Sequence, residues 1–231
     1  GYAAIIVLSL VGALPLLFLQ IPIPQRVVRP KSASRFASLA ILRQRPVRNA
    51  VLIGASSQGV MIFMRVPTTL AMIGCGFSEP VAGDVIRWHF VAMFAPSFFT
   101  GFLIKRFGST PIVSIGLFFL ALAAVIGASG LSAVQFYGAL ILLGVGWNFS
   151  FIGATNTLTD AVPDEDKSVA QGVNDTVIAL VSTICAFASG AVVAGFGWIV
   201  LSTVTLVFVI LSFGVLFLDR GKAIPSTLSS K

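Results

Sequence analysis

Long apolar stretches alternate with short polar ones along the chain, and seven of the apolar stretches reach membrane-spanning length. A helix needs about 20 apolar residues to cross a bilayer. Polar and apolar residues do not alternate within these stretches, as residues 112–127 show, so the pattern is not that of barrel strands. Backbone polar groups in lipid must be hydrogen-bonded within the segment, so each stretch is predicted to be a helix. The predicted helices are 2–22, 49–74, 81–104, 111–129, 134–158, 174–196 and 198–218.

A basic stretch separates the first predicted helix from the other six. It contains seven cationic residues and no acidic one. Loops rich in Lys and Arg stay on the cytoplasmic side of a membrane, so this linker, residues 24–48, is predicted to be cytoplasmic, and the tail 219–231 with it. Counting helices from the linker then places the stretch 159–173 inside and the turn 195–198 outside. The cationic residues of the linker are Arg26, Arg29, Lys31, Arg35, Arg43, Arg45 and Arg48.

The end of this linker has two interpretations, which the sequence leaves open. Apolar residues alternate there with cationic ones, which fits a short amphipathic helix lying on the inner membrane surface. The alternative is a disordered basic tether. The apolar residues are Phe36, Leu39, Ile41 and Leu42, and the cationic ones are Arg35 and Arg43.

Composition excludes a soluble globular domain. Hydrophobic residues make up 57% of the chain and charged residues only 10%, whereas soluble domains contain about 25% charged residues. The net charge of +7 comes from residues at the ends of apolar stretches. No basic patch with interleaved aromatic residues occurs, so no nucleic-acid partner is predicted. Cys75 and Cys185 have no metal-binding or redox spacing, and no metal or cofactor is predicted.

Strongly polar side chains are confined to the second, third, fifth and sixth predicted helices. The first, fourth and seventh are almost wholly apolar. A helix with a polar stripe turns that stripe towards protein or a water-filled cavity, whereas an apolar helix can face lipid. We therefore expect four helices to line a central space and three to lie at the periphery.

The second and fifth predicted helices supply the candidate cavity residues. Gln58 and Arg65 are seven residues apart and share one face. Arg65 lies about 14 Å from the outer end of its helix, near the middle of the bilayer, where a cation costs about 2.5–3.5 kcal/mol. It either faces a cavity, as we expect, or extends to the interface. Trp147, Asn148 and Asn156 are the candidates in the fifth helix, and the alternative for both amides is helix–helix hydrogen bonding.

The third predicted helix contains the candidates for proton handling, Asp84 and His89. Asp84 and Arg87 are three residues apart and can pair on one face. They lie near the outer end of the helix, so the alternative to proton handling for Asp84, and the one we favour, is an interfacial ion pair. His89 is the only histidine of the chain. A histidine inside a membrane can relay protons because its charge changes near neutral pH. It can also simply hydrogen-bond a neighbouring helix, and the sequence does not decide between the two.

Two further expectations concern helix geometry. Pro67 removes a hydrogen bond inside the second predicted helix, so a kink is predicted there. Asn174 and Asp175 stand at the start of the sixth predicted helix, where both residue types are common caps.

Two loop sequences resemble the major facilitator superfamily of membrane transporters. The first is similar to that family's Gly-x-Leu-x-Asp-Arg-x-Gly motif, although Lys105 stands where the family has Asp and the trailing basic residues are absent. The second, from Pro163 to Gly172, is similar to the family's Pro…Arg-x-x-Ala-x-Gly loop, with Lys167 in place of Arg. The run from Trp88 to Gly101 resembles bacterial permeases of the same superfamily. The residues that match the first motif are Gly101, Leu103, Arg106 and Gly108.

The resemblance implies an all-α integral membrane protein that forms part of a twelve-helix fold. Residues 1–23 would be the last helix of the N-terminal half, 24–48 the central cytoplasmic loop, 49–218 the C-terminal six-helix bundle and 219–231 a cytoplasmic tail. The other N-terminal helices would be missing partners of the same fold. The bacterial inner membrane is the expected location.

The implied function is secondary active transport of a small solute by alternating access, driven by protons, with uptake or efflux undetermined. One alternative is a non-transporting fragment of such a permease. A remote alternative is an intramembrane enzyme, suggested by Ser56 and Ser57 together with His89. The serine spacing does not fit an intramembrane protease, so no enzyme is predicted.

Overall fold

A computed structural model of the protein describes residues 10–14, 18 and 38–220. The chain divides into two units, Gly1–Ser34 and Arg35–Lys231. In the first unit, residues 10–14 form a short helical stretch, and the rest of the predicted first helix lies outside the described residues. The architecture below concerns the second unit.

The second unit is built from α-helices, and the described residues contain no β-strand. Two short 3-10 helices are also present. Ser38–Arg43 precedes the first α-helix, and Asp164–Asp166 lies in the connection before the last α-helix. The α-helices are α1 (Arg45–Gly74), α2 (Glu79–Phe94), α3 (Ser97–Phe107), α4 (Ser109–Ala128), α5 (Ala133–Asp160) and α6 (Lys167–Arg220).

Five helical ranges in the described chain are long and apolar enough to cross a membrane. Three of them are α1, α4 and α5, and a fourth combines α2 and α3. The fifth range contains 54 residues, which a straight helix would stretch to about 80 Å, far beyond a hydrocarbon core of about 30 Å.

The long helix α6 reverses direction at Gly197, which has φ 81° and ψ 177°. Its two arms, residues 167–196 and 198–220, return to the same end of α1. Ala50 packs in one cluster with Val173 of the first arm and lines a cavity with Leu216 of the second. A straight helix would place those two residues about 65 Å apart. The turn predicted at 195–198 is therefore present, and the two arms form an antiparallel hairpin.

Helix α5 lies at the centre of the unit because small residues let two other helices approach its backbone. A Cβ on Gly116 of α4 would lie 2.8 Å from the carbonyl oxygen of Gly146. On another side of α5, a Cβ on Gly144 would lie 2.7 Å from the carbonyl oxygen of His89 in α2. Such close packing, rather than apolar burial alone, holds helices together in lipid.

Proline breaks the third predicted helix but not the second. The range 81–104 is divided into α2 and α3 around Pro96, a break that the sequence analysis did not predict. Helix α1 continues as a helix through Pro67.

The start of α6 corrects another expectation. The helix begins at Lys167, not at 174, so Asn174 and Asp175 lie inside it and the capping prediction was wrong. The extra turns are stabilised by packing, because Ala170 and Val173 are buried against the start of α1.

The described end of the basic linker is ordered. Residues 38–43 form the first 3-10 turn, in which Ile41 packs with Val47 and Ala50 of α1. This packing favours the helical interpretation over a tether for these residues. Phe36 and Arg35 lie outside the described residues.

Candidate functional site

Gln58 of α1 and Trp147 of α5 meet in a direct contact between two helices. The indole N–H of Trp147 donates a hydrogen bond of 2.7 Å to Oε1 of Gln58, and both side chains are half-buried. The ring of Trp147 also stacks on Phe151 with a centroid distance of 4.9 Å. The pair offers an aromatic face next to a polar amide, an arrangement suited to a planar solute with hydrogen-bonding edges.

Arg65 lies two helical turns beyond Gln58 on the same helix and is half-buried. Its Nε donates to the sulfur of Met61 at 3.4 Å, and its Cζ lies 5.7 Å from the ring centroid of Phe90 in α2. Phe90 in turn stacks on Phe94. No carboxylate pairs with Arg65 in the part of the chain that the structure describes. The described contacts of its charged group are therefore with a sulfur atom and an aromatic ring, both polarisable.

Asp84 is held by two partners near the start of α2. It forms an ion pair with Arg87, which confirms the predicted pairing on one face. The hydroxyl of Tyr137 in α5 donates to its Oδ2 at 2.6 Å. Asp84 thus joins α2 to α5, and Tyr137 is a site residue that the sequence analysis missed.

His89 is fully buried, and its ring bonds to a neighbouring helix. Nδ1 lies 2.8 Å from the carbonyl oxygen of Leu140. A carbonyl can only accept, so Nδ1 carries the proton of this bond. Nε2 is buried without a partner in the described structure. This placement favours helix–helix bonding, the second of the two interpretations left open for His89.

Asn148 is also fully buried, one turn beyond Gly144 on the same face of α5. Its Nδ2 donates to the carbonyl oxygen of Met93 at 2.8 Å and to the hydroxyl of Ser97 at 2.6 Å. The hydroxyl of Thr100 donates to its Oδ1 at 2.6 Å. All these partners belong to α2, α3 or the break between them, so the structure does not place Asn148 beside Gln58 and Trp147.

Asn156 lies nine residues beyond Trp147, about 13 Å further along α5. Its Nδ2 donates to the hydroxyl of Ser109 at 3.0 Å and to Oδ2 of Asp160 at 2.7 Å. It lines a separate pocket of about 290 Å³ with Phe151. The structure therefore brings two of the five predicted cavity residues into direct contact, Gln58 and Trp147, and Arg65 lies two helical turns away from Gln58 on α1.

The match of the chain to a family model agrees with the resemblance of its two loop motifs. Residues 74–231 match the model of the Major Facilitator Superfamily. The chain belongs to the major facilitator superfamily. That match is to a superfamily of transporters and not to an enzyme family. Among the described residues, the ring of His89 bonds to the carbonyl of Leu140, and the hydroxyl of Ser57 donates to the carbonyl of Ile53 at 2.8 Å.

Named relatives point the same way. The riboflavin transporter RfnT of Brucella anthropi is 42% identical over 158 residues, which is 68% of this chain and 40% of the relative. The uncharacterized MFS-type transporter YdeG of Bacillus subtilis is 33% identical over 181 residues, or 76% of this chain and 42% of the relative. The chain thus spans about two fifths of the length of these curated relatives.

The first family motif occupies α3 and the turn that follows it. Gly101, Leu103 and Arg106 lie on α3, and Gly108 joins α3 to α4 with φ 83°. Only glycine adopts this backbone conformation readily, so Gly108 makes the tight turn possible. In the second motif, Lys167 forms a 2.7 Å ion pair with Asp164 at the exposed start of α6.

Two site residues, Tyr137 and Leu140, were missed because only strongly polar side chains were followed along α5. With Gly144 and Asn148 they lie at spacings of three, four and four along that helix. That spacing marks one face of a helix. The signal was present, but the backbone carbonyl of an apolar residue does not stand out in a list of polar side chains. Phe90 carried no signal, because its contact with Arg65 depends on how α1 and α2 pack.

Proposed function

We propose that this chain is the C-terminal part of a twelve-helix transporter that moves a small solute across a bacterial inner membrane. In this proposal seven membrane-spanning helices belong to the chain. Residues 2–22 form the last helix of the N-terminal half, and α1 to α6 form the C-terminal half, with the two arms of α6 as separate crossings. The linker 24–48 and the tail 219–231 are cytoplasmic. The observation that carries the proposal is the match of residues 74–231 to the superfamily model.

The solute site is proposed on the face that α1 and α5 share. Gln58 and Trp147 supply a hydrogen-bonding edge and an aromatic face, and Arg65 supplies a positive charge about 10 Å away along α1. Because Arg65 has no carboxylate partner among the described residues, a solute with acceptor atoms would gain a charge-assisted hydrogen bond there.

Riboflavin is the solute that we propose to test first. Support comes from the 42% identity to a relative named as a riboflavin transporter. Riboflavin has a planar heteroaromatic ring with carbonyl acceptors, which suits stacking on Trp147 and hydrogen bonds from Arg65. Its imide N–H would donate to Oε1 of Gln58, because an amide oxygen can accept a second hydrogen bond beside the one from Trp147.

Transport by alternating access needs a driving force, and we propose protons. Asp84 is the titratable residue best placed for this role, since it touches both Arg87 and Tyr137 and so joins α2 to α5. His89 is the second candidate. Uptake measured in vesicles with an imposed pH gradient should exceed uptake after the gradient is collapsed with an ionophore. Equal rates in the two conditions would contradict proton coupling.

The central experiment replaces Arg65 in the gene product that carries this chain. Arg65→Ala should abolish riboflavin transport in proteoliposomes, because the solute loses its charged donor, while the protein still inserts in the membrane. Arg48→Ala is the matched control: Arg48 is an exposed arginine at the start of the same helix, and its loss should leave transport unchanged. Unimpaired transport by Arg65→Ala would eliminate Arg65 from the solute site. Absence of riboflavin transport by the unmodified protein would exclude riboflavin as its solute.

A further inference from the structure

The break between α2 and α3 lies inside a range long enough to span a membrane. Helix α2 ends at Phe94 and α3 begins at Ser97, with Ala95 and Pro96 between them. Pro96 has no N–H, so the carbonyl of Ala92 cannot receive the bond that a continuous helix would give it. Breaks of this kind persist in lipid only where neighbouring groups supply new partners.

The side chain of Asn148 reaches both sides of this break. Its Nδ2 donates to the carbonyl of Met93, in the last turn of α2, and to the hydroxyl of Ser97, the first residue of α3. Its Oδ1 accepts from Thr100, one turn further along α3. Both N–H groups of the amide are therefore used, and Asn148 and Thr100 are fully buried.

Thr100 gives this contact two possible states. Its hydroxyl has one proton but two acceptors within reach, Oδ1 of Asn148 at 2.6 Å and the carbonyl oxygen of Pro96 at 2.8 Å. A donation to Asn148 ties α3 to α5, and a donation to Pro96 keeps the proton within α3. A small rotation of the hydroxyl therefore exchanges a contact between helices for one inside a helix.

The two sides of the break are anchored unequally. Helix α2 buries a continuous stripe against α5, which includes the His89–Leu140 bond and the backbone contact at Gly144. Helix α3 buries only Thr100 and Ile104. Besides the apolar contact of Ile104 with Ile112 and Phe149, the bonds to Asn148 are what holds α3 to α5 among the described side-chain hydrogen bonds.

We propose that Asn148 is the positioning residue of an intramembrane hinge at Pro96. It holds α3 in one direction relative to α2, and its release lets α3 swing during transport. Helix α3 carries the family motif from Gly101 to the turn at Gly108, so the swing would move that motif at the cytoplasmic end. This inference rests on the proposed transport function, and it assigns Asn148 to the motion of the protein rather than to the solute.

The first test measures the direction of α3 without relying on any solute. Spin labels at Lys105→Cys in α3 and Asp160→Cys in α5, with Cys75 and Cys185 replaced by Ser, report one distance in the purified gene product. We expect one narrow distance distribution with Asn148 and a broadened or double one with Asn148→Ala. Thr155→Ala is the control, a polar residue of the same helix whose hydroxyl bonds within α5, to the carbonyl of Phe151. An unchanged distribution in Asn148→Ala would overturn the hinge.

The second test separates a hinge from a solute contact. Asn148→Ala should slow riboflavin transport by about three- to tenfold, the effect of a membrane hydrogen bond lost from one state, while riboflavin binding changes less than about twofold. Equal weakening of binding and transport would make Asn148 a cavity residue and overturn the proposal, without affecting the Arg65 result. If Asn148→Ala does not insert, Thr100→Val removes the bond between Thr100 and Asn148 with little change in volume, and a smaller effect of the same kind is expected.

The third test replaces Pro96, the residue that causes the break. Pro96→Ala restores the missing N–H and should repair the helix, so α3 would no longer depend on Asn148 for its direction. In this background Asn148→Ala should leave the label distance unchanged. The two substitutions are in one network and are expected to be non-additive. Additive effects would mean that Asn148 acts independently of the break and would contradict the proposal.

Discussion

Trp147 and Asn148 are neighbours in the sequence but contact different helices. Consecutive residues of a helix point about 100° apart, so Trp147 contacts Gln58 of α1 while Asn148 faces α2 and α3. The first side chain is half-buried and can meet a solute, whereas the second is fully buried. The residue type alone predicted polar chemistry at both positions. The direction of each side chain decided which helix it contacts.

The contact between Gln58 and Trp147 gives a prediction at this scale. Gln58→Leu removes the acceptor and leaves the indole N–H of Trp147 without its partner, at a cost of about 0.5–1.5 kcal/mol. We expect a higher KM for riboflavin transport and a changed Trp147 emission maximum, with the protein still folded. Trp88→Phe is the control, because Trp88 is exposed on α2. A KM unchanged in Gln58→Leu would exclude this pair from the solute site.

Among the helices, α4 and α5 approach each other most closely where Gly116 of α4 meets Gly146 of α5. A Cβ at Gly116 would come within 2.8 Å of the Gly146 carbonyl oxygen and 2.9 Å of the Ser150 Cα. Backbone atoms cannot move aside as the end of a flexible side chain can. The axes of α4 and α5 would therefore have to separate along their shared length.

We predict that Gly116→Ala destabilises the protein by about 1–3 kcal/mol, the usual cost of overpacking. Gly138→Ala is the matched control, since its Cβ would meet Ile126 at an ordinary 3.5 Å. Thermal unfolding in detergent, followed by tryptophan fluorescence, should show a lower Tm for the first variant only. Equal Tm values in both variants would mean that α4 and α5 are less closely packed than described.

Helix boundaries show how far apolar length alone can predict an element. The predicted 111–129 and 134–158 correspond closely to α4 and α5, because each is a single apolar run between turn residues. Length could not reveal the break at Pro96, since an apolar run continues through it. Nor could it find the true start of α6, which depends on Ala170 and Val173 packing against another helix.

For the molecule as a whole, the hairpin of α6 is the main topological feature. Cys185 of the first arm and Phe208 of the second line one apolar cavity of about 320 Å³. In a straight helix these residues would be about 35 Å apart. The reversal at Gly197 alone brings them together.

A cross-link tests this reversal. With Cys75 replaced by Ser, Phe208→Cys should be joined to the native Cys185 by a short bifunctional thiol reagent. Leu216→Cys, near the far end of the second arm, is the control and should not react with Cys185. Absence of a cross-link with Phe208→Cys, or equal cross-linking of the two variants, would contradict the antiparallel arrangement.

The sequence by itself determined the class of protein, its predicted orientation in the membrane and its resemblance to the superfamily. These properties depend on apolar length, on the positions of cationic residues and on short loop motifs, all of which are local along the chain. Tertiary structure decided which polar residues meet. Gln58 and Trp147 are 89 residues apart in the sequence. Asn148 bonds to the carbonyl of Met93, which is 55 residues away in the sequence. Those contacts depend on which faces the helices turn towards one another, and that choice is made by close packing at residues such as Gly116, Gly144 and Gly146.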